Sequence, residues 1–268
     1  MLAVVGGKGG CGKTTTAITL TRELASRISR LRTPLLVDAD ADMPDVHHYL
    51  GIDRTTSLRG KLTRTAPSGA NAVSKGAPLT ASVRYPEGLS GGAVLTAGTR
   101  DETARALHQC RRWPGPVIVD TPAGINPDVT GPLRIADHAL VISTDEPVCL
   151  DDAKRTATVC DTLCQQSFGV IRRVRERTPR SDSVVCHETS TSISAQGSPN
   201  IVVPSRVGNA PVIGTLPTVS APRSDEQYAA AIAALTATMT AGAGIFNPRG
   251  RKKEVDAEQA SNRNRCPR

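Results

Sequence analysis

The stretch "VVGGKGGCGKTTT", Val4 to Thr16, sets five glycines, among them Gly7, Gly9, Gly10 and Gly12, and two lysines (Lys8 and Lys13) between a short apolar run and a helical pattern. Glycines let successive backbone N–H groups turn inward around an anion, and a helix starting just behind them adds the positive end of its dipole. The run Lys8-Gly9-Gly10-Cys11-Gly12-Lys13-Thr14-Thr15 therefore reads as a loop that cradles phosphates. In it, Lys13 reaches the β/γ-phosphates and the Thr14 hydroxyl ligates Mg²⁺. Such a cradle needs one lysine, so Lys8 is a surplus cation with some other task.

Carboxylates follow at two strand ends. "LLVDADAD" carries Asp38, Asp40 and Asp42, and "PVIVDTPAGINPD" carries Asp120. An acid at the C-terminal end of a parallel strand faces the ligand crevice of an open α/β sheet. Asp120 is thus placed to hold the water shell of a metal ion bound to phosphate. Asp42 has no assigned role and reads as a solvated loop residue. Adjacent His47 and His48 would point about 100° apart on a helix, a poor pair of metal ligands. Cys160 and Cys164 share a helix face among Ala and Leu, which suits core thiols. No Ser-His-Asp arrangement stands out.

The elements that must position these residues alternate between short apolar runs and longer helical patterns, as in a parallel sheet with crossover helices. Strands are predicted at 2–5, 34–38, 93–98, 116–120, 138–144, 168–171 and 211–217. Helices are predicted from Thr14 to Ile28 and over 101–112, 147–165 and 224–240. The fold class is α/β, Rossmann-like, with a mostly parallel twisted sheet and helices on both faces. One domain is expected over 1–240, with surface excursions at 53–90 and 177–200 and a polar, basic, disordered tail over 241–268.

At this point the resemblance to the MinD/ParA family of P-loop ATPases is plain. Lys8 to Thr14 resembles that family's deviant Walker A motif, KGGxGK[ST], and Asp120-Thr121-Pro122-Ala123-Gly124 resembles its DxPAG switch II, most closely that of MinD-like members. The resemblance implies that Lys8 crosses a dimer interface to the partner subunit's phosphates, where a cation offsets charge developed in phosphoryl transfer. It further implies that Asp38 lies near Mg²⁺ through water, that Asp40 orients the attacking water, and that Gly124 offers the γ-phosphate a backbone N–H. Three departures stand out. Arg172-Arg173 replaces an Asn-basic pair whose Asn reads adenine, leaving the base to Arg172 or to the backbone near Leu216 and Pro217. Asp45-Val46-His47 replaces an N-x-D-like pattern. The last helix, with Tyr228, Ile232, Leu235 and Met239 on one face, resembles core packing and no membrane-inserting anchor.

The function implied is an ATP- and Mg²⁺-dependent homodimer switch with slow hydrolysis, which positions a cellular assembly through a protein partner. A ParA-like DNA-partitioning ATPase that coats DNA non-specifically is the alternative, and a ligase or metal-cluster carrier on the same fold is a third class. Charge bears on the choice. The chain of 268 residues carries a formal net charge of +8. Arg249 to Arg268 hold seven Lys/Arg against three Asp/Glu, half of that excess. Aromatics at 2% predict an aliphatic core and count against recognition of single strands by stacking. An odd count of 7 cysteines without CxxC fits free thiols in a reducing cytoplasm. With the first strand starting at Leu2, no secretory leader is expected.

Overall fold

The computed structural model describes residues 1–28, 32–52, 83–96, 98–172, 204–242 and 245–246. The predicted excursion at 177–200, most of that at 53–90, Arg173 and the tail beyond 246 lie outside the described residues.

Among the described residues eight strands form one sheet: β1 (Leu2–Val5), β2 (Leu35–Asp38), β3 (Ala93–Leu95), β4 (Val117–Asp120), β5 (His138–Thr144), β6 (Gln166–Arg172), β7 (Arg206–Val207) and β8 (Ala210–Leu216). Their spatial order is β3-β2-β4-β1-β5-β6-β8-β7. All pairings are parallel except β7 with β8, so the expected mostly parallel sheet is present. Among the described residues six α-helices accompany it: α1 (Lys13–Arg27), α2 (Val46–Leu50), α3 (Arg100–Cys110), α4 (Pro127–Ile135), α5 (Pro147–Leu163) and α6 (Glu226–Ala237).

Strand alternation sends neighbouring side chains to opposite faces, and here both faces are apolar. Leu2 and Val4 of β1 join Leu20 and Leu24 of α1 and Ile232 and Leu235 of α6 in one core. Ala3 and Val5 join Leu107 of α3, Leu133 of α4 and Ala157 of α5 in the other. That double burial explains why the central strands are unbroken apolar runs.

The two cores include two aromatics with polar anchors. Tyr228 is 1% exposed, and the Trp113 indole N–H donates to the Thr33 carbonyl at 2.7 Å. The face predicted for the last helix is in the core: Tyr228, Ile232, Leu235 and Met239 are all buried. The packed body also extends beyond the boundary drawn at 240. A π-helical turn, Thr238–Gly242, carries the chain on, and buried Ile245 donates its N–H to the Met239 carbonyl. Among the described residues no helix is long and apolar enough to cross a membrane.

Candidate functional site

β1 lies between β4 and β5, so the loop leaving it emerges at the middle of the sheet, over the start of α1. Gly10 (φ 75°) and Gly12 (φ 99°) adopt left-handed backbone that other residues rarely tolerate. Gly12 caps α1, whose first turn contains no acidic residue to neutralise its positive end. A Cβ built on Gly9 or Gly10 would meet nothing within 4 Å, so this arc of backbone faces open space. Gly7 is the opposite case: its Cβ would lie 2.6 Å from the Asp152 Cβ.

The two lysines diverge. Lys13 is 8% exposed, and its Nζ donates to the Lys8 carbonyl at 3.3 Å. The Lys8 side chain is 45% exposed and lies 3.6 Å from the Asp152 carboxylate on α5. Cys11 turns its thiol inward beside Gly6, where burial pushes its pKa up. Only its main chain can face an anion. Thr14 and Thr15 stay half-buried on the first turn of α1.

Asp38 and Asp120 are direct cross-strand neighbours at the ends of β2 and β4. Both are buried. Asp38 Oδ1 accepts the Asp40 N–H at 3.1 Å, while Asp38 Oδ2 and Asp120 Oδ1 are buried with no hydrogen-bond partner. Burial, then the charge of Asp120, holds the Asp38 carboxyl well above the usual carboxylate range. Burial pushes Asp120 up to about 7, against the opposing pull of a hydrogen bond from Thr14 and of nearby Lys13. Two buried carboxyls with bare oxygens beside a hydroxyl are a donor set suited to a hard divalent cation. Asp40 stands at the rim, its Oδ1 accepting the Met43 N–H at 2.9 Å.

Several expected roles meet a different geometry. The Gly124 N–H donates to the Gly6 carbonyl at 3.1 Å, so it is already engaged and must exchange that bond to serve a phosphate. Arg172, at the end of β6, turns back onto the loop: its Nη2 donates to the Gly10 carbonyl at 3.0 Å, and its Nε is buried without a partner. Leu216 pairs with Arg172 across β6 and β8. Its side chain is buried in the α1/α6 core, leaving its main chain and half-buried Pro217 at the crevice. Asp42, read as a solvated loop residue, is exposed in a loop and is in addition ion-paired to Arg100 at 2.8 Å. Two residues escaped the sequence reading altogether, Asp152 and Arg100. Their partners are distant in sequence, and no local pattern marks either.

A glycine loop heading a helix, with paired acids on the adjoining strand ends of a parallel sheet, defines a P-loop NTPase. The chain belongs to the ParA family: the model described as "NUBPL iron-transfer P-loop NTPase" matches residues 1–241. It is similar to the antiactivator FleN of Pseudomonas aeruginosa, 28% identical over 163 residues, covering 57% of this chain and 53% of that protein. The chain thus spans about half the length of that relative. Its fold is similar to that of the septum site-determining protein MinD from Pyrococcus horikoshii, solved with Mg-ADP (TM-score 0.64, 18% identity, covering 91% of this chain and 97% of that one). It is also similar to the MinC:MinD cell division complex of Aquifex aeolicus (TM-score 0.62, 18% identity, 89% and 95% covered). At these identities the likeness is one of fold.

Proposed function

We propose that the chain binds ATP with Mg²⁺, closes on a second copy of itself around the nucleotides, and hydrolyses ATP slowly as a switch that positions a cellular assembly. The backbone from Gly7 to Thr15 and the Lys13 ammonium hold the phosphates. Thr14 ligates the metal directly, and Asp38 and Asp120 hold its water shell. Bound there, Mg²⁺ neutralises phosphate charge as the transferred group departs. Asp40 positions the attacking water from the rim, Gly124 follows the γ-phosphate by exchanging its bond to Gly6, and Arg172, Leu216 and Pro217 border the base. Slow turnover follows from the absence of a strong general base among these residues.

The observation that carries this reading is the character of the rim. Of five large exposed hydrophobic residues among those described, Met43 (72% exposed), Ile125 (46%) and Val148 (62%) follow the ends of β2, β4 and β5. They lie on the loop side of the sheet with Lys8, as a closing partner surface requires. Lys8→Ala tests it. ATP affinity stays near wild type while dimer-dependent hydrolysis disappears; undiminished hydrolysis in that variant would falsify the role of Lys8 across the interface.

What the dimer positions follows, as a proposal, from its relatives. FleN is named an antiactivator and the Aquifex MinD is bound to MinC, so a protein partner or activator is the first reading. The net charge of +8 favours a second, ATP-dependent binding of non-specific DNA. Fluorescence anisotropy on random-sequence duplex, with ATP and ADP at two salt concentrations, separates them: salt-sensitive binding that requires ATP selects DNA. The iron transfer named in the family description would call on thiolates. Burial pushes Cys110, Cys160 and Cys164 up to about 12, leaving them protonated near neutral pH. Visible absorbance of the purified protein checks that class.

A further inference from the structure

The segments that carry the two buried acids leave the sheet on separate courses. One runs from Asp38 through Asp42 to α2, and the other from Asp120 through Gly124 to α4. At their bases the Ala39 N–H donates to the Asp120 carbonyl at 2.9 Å, and further out a guanidinium nitrogen bridges them. Arg100 Nη2 lies 2.8 Å from Asp42 Oδ2 and 2.9 Å from Asp128 Oδ2. Arg100 belongs to neither segment: it opens α3, which follows β3.

Nothing local explains a cation there. The first residue of a helix sits at the positive end of the dipole, where Arg is disfavoured. The Arg100 side chain is 61% exposed, so it fills no core space. Its backbone, by contrast, is firmly held. Thr99 and Glu102 form a reciprocal capping box, with the Thr99 N–H donating to Glu102 at 2.8 Å and the Glu102 N–H to Thr99 at 3.4 Å. Arg100 and Asp128 themselves help line a groove of about 500 Å³, together with Ala39 and Ala41 of the first segment and Leu107 and Pro132 of α3 and α4. There the Arg100 pairs span from one segment to the other, and without the guanidinium Asp42 and Asp128 would repel. The Arg100–Asp42 pair is exposed on both partners and therefore weak, while the Asp128 side chain is 17% exposed, so the link opens and re-forms at Asp42 as a ligand rearranges either segment.

We infer that Arg100 is a positioning residue, a latch on a rigid helix start that makes the segment after β2 and the segment after β4 move together. For turnover, this rests on the ATPase reading above. The latch would bring Asp40 and Gly124 to the phosphates in one step, so its loss slows hydrolysis without loosening nucleotide.

Two measurements on the full chain test it. The first, hydrogen exchange without nucleotide, needs no activity. Arg100→Gln raises exchange several-fold both at 39–45 and at 121–129, Arg100→Lys raises it less, and Asp42→Asn raises it at 39–45 while leaving 121–129 near wild type. The second is steady-state ATP hydrolysis: Arg100→Gln lowers kcat about fivefold with KM within about twofold, and Arg100→Lys recovers at least about half of the loss. Unchanged exchange at either segment in Arg100→Gln overturns the latch. So does a fall in turnover that Lys does not relieve, or one expressed through KM. A wild-type chain with no ATP turnover would sink the proposed function, and the exchange experiment alone would then decide the latch.

Discussion

Asp120→Asn is expected to stabilise the nucleotide-free, metal-free protein, although it removes a residue assigned to the metal site. The reason is the neighbourhood of Asp120: it is 3% exposed, directly across from buried Asp38, and one of its oxygens has no partner. Its pKa is pushed from the ordinary 3.8 to about 7, chiefly by burial. A carboxyl with a raised folded value binds more protons folded than unfolded between those limits. Stability is therefore greatest below about pH 4, falls as pH rises to about 7, and is flat beyond.

At about 1.4 kcal/mol per pH unit, the gap corresponds to about 4 kcal/mol of destabilisation at pH 8, an upper value because water and relaxation screen buried charge. Asparagine keeps the shape and an oxygen for the Thr14 hydroxyl, and it carries no charge. At pH 8 in EDTA, the variant should exceed wild type by about 2–4 kcal/mol in urea unfolding, or roughly 5–10 °C in midpoint temperature. At pH 5 the difference should shrink to less than about half. Mg²⁺ with ATP should reverse the order, because the carboxylate is then the better partner. A variant no more stable than wild type at pH 8 without metal would refute the assignment of Asp120 as a buried, strained anion.

Lys13→Ala should abolish nucleotide binding by isothermal titration calorimetry, since Lys13 is the buried cation at the head of α1; retained binding would move the phosphates elsewhere. Gly7→Ala should destabilise the fold by about 1–3 kcal/mol in urea, because its Cβ would meet the Asp152 Cβ at 2.6 Å and the Asp152 backbone carbon at 2.9 Å. A rotamer change on Asp152 cannot move either atom. Thr99→Ala removes the side-chain half of the capping box on α3 and should cost about 1 kcal/mol by the same assay.

How much of this was legible depended on whether the governing interaction was local. Runs such as "LAVV" and "VIVD" read as strands because both their faces are buried, which leaves an uninterrupted apolar signal. α4 was not legible. Pro127, Gly131 and Pro132 look like breakers, yet Asn126 caps the helix by accepting the Val129 N–H at 3.1 Å, and Pro127 sits in the first turn, where its missing N–H is harmless. The Asn-Pro pair was the available sign. In the site, the phosphate loop and the acids at strand ends were readable from residue type and spacing. The pairing of Lys8 with Asp152 and the bridging of Asp42 to Asp128 were not, because tertiary folding alone makes those residues neighbours.

The same geometry separates the work of the two lysines within one loop. Lys13 turns inward and rests on the main-chain carbonyl of Lys8, whereas the Lys8 ammonium points away to α5, half-exposed beside Asp152. Lys8 therefore contributes a carbonyl to the loop, while its half-exposed ammonium is paired outside it with Asp152. Alanine at position 8 preserves the carbonyl and deletes only the charge, so the loop that holds Lys13 should remain intact. Holding the ammonium 3.6 Å from a carboxylate still 27% exposed is a weak restraint, and an incoming phosphate would compete with it well. Asp152→Asn removes that restraint without touching the loop. It should raise the rate of dimer-dependent hydrolysis if Asp152 holds Lys8 back, and lower it if Asp152 aims Lys8 across the interface.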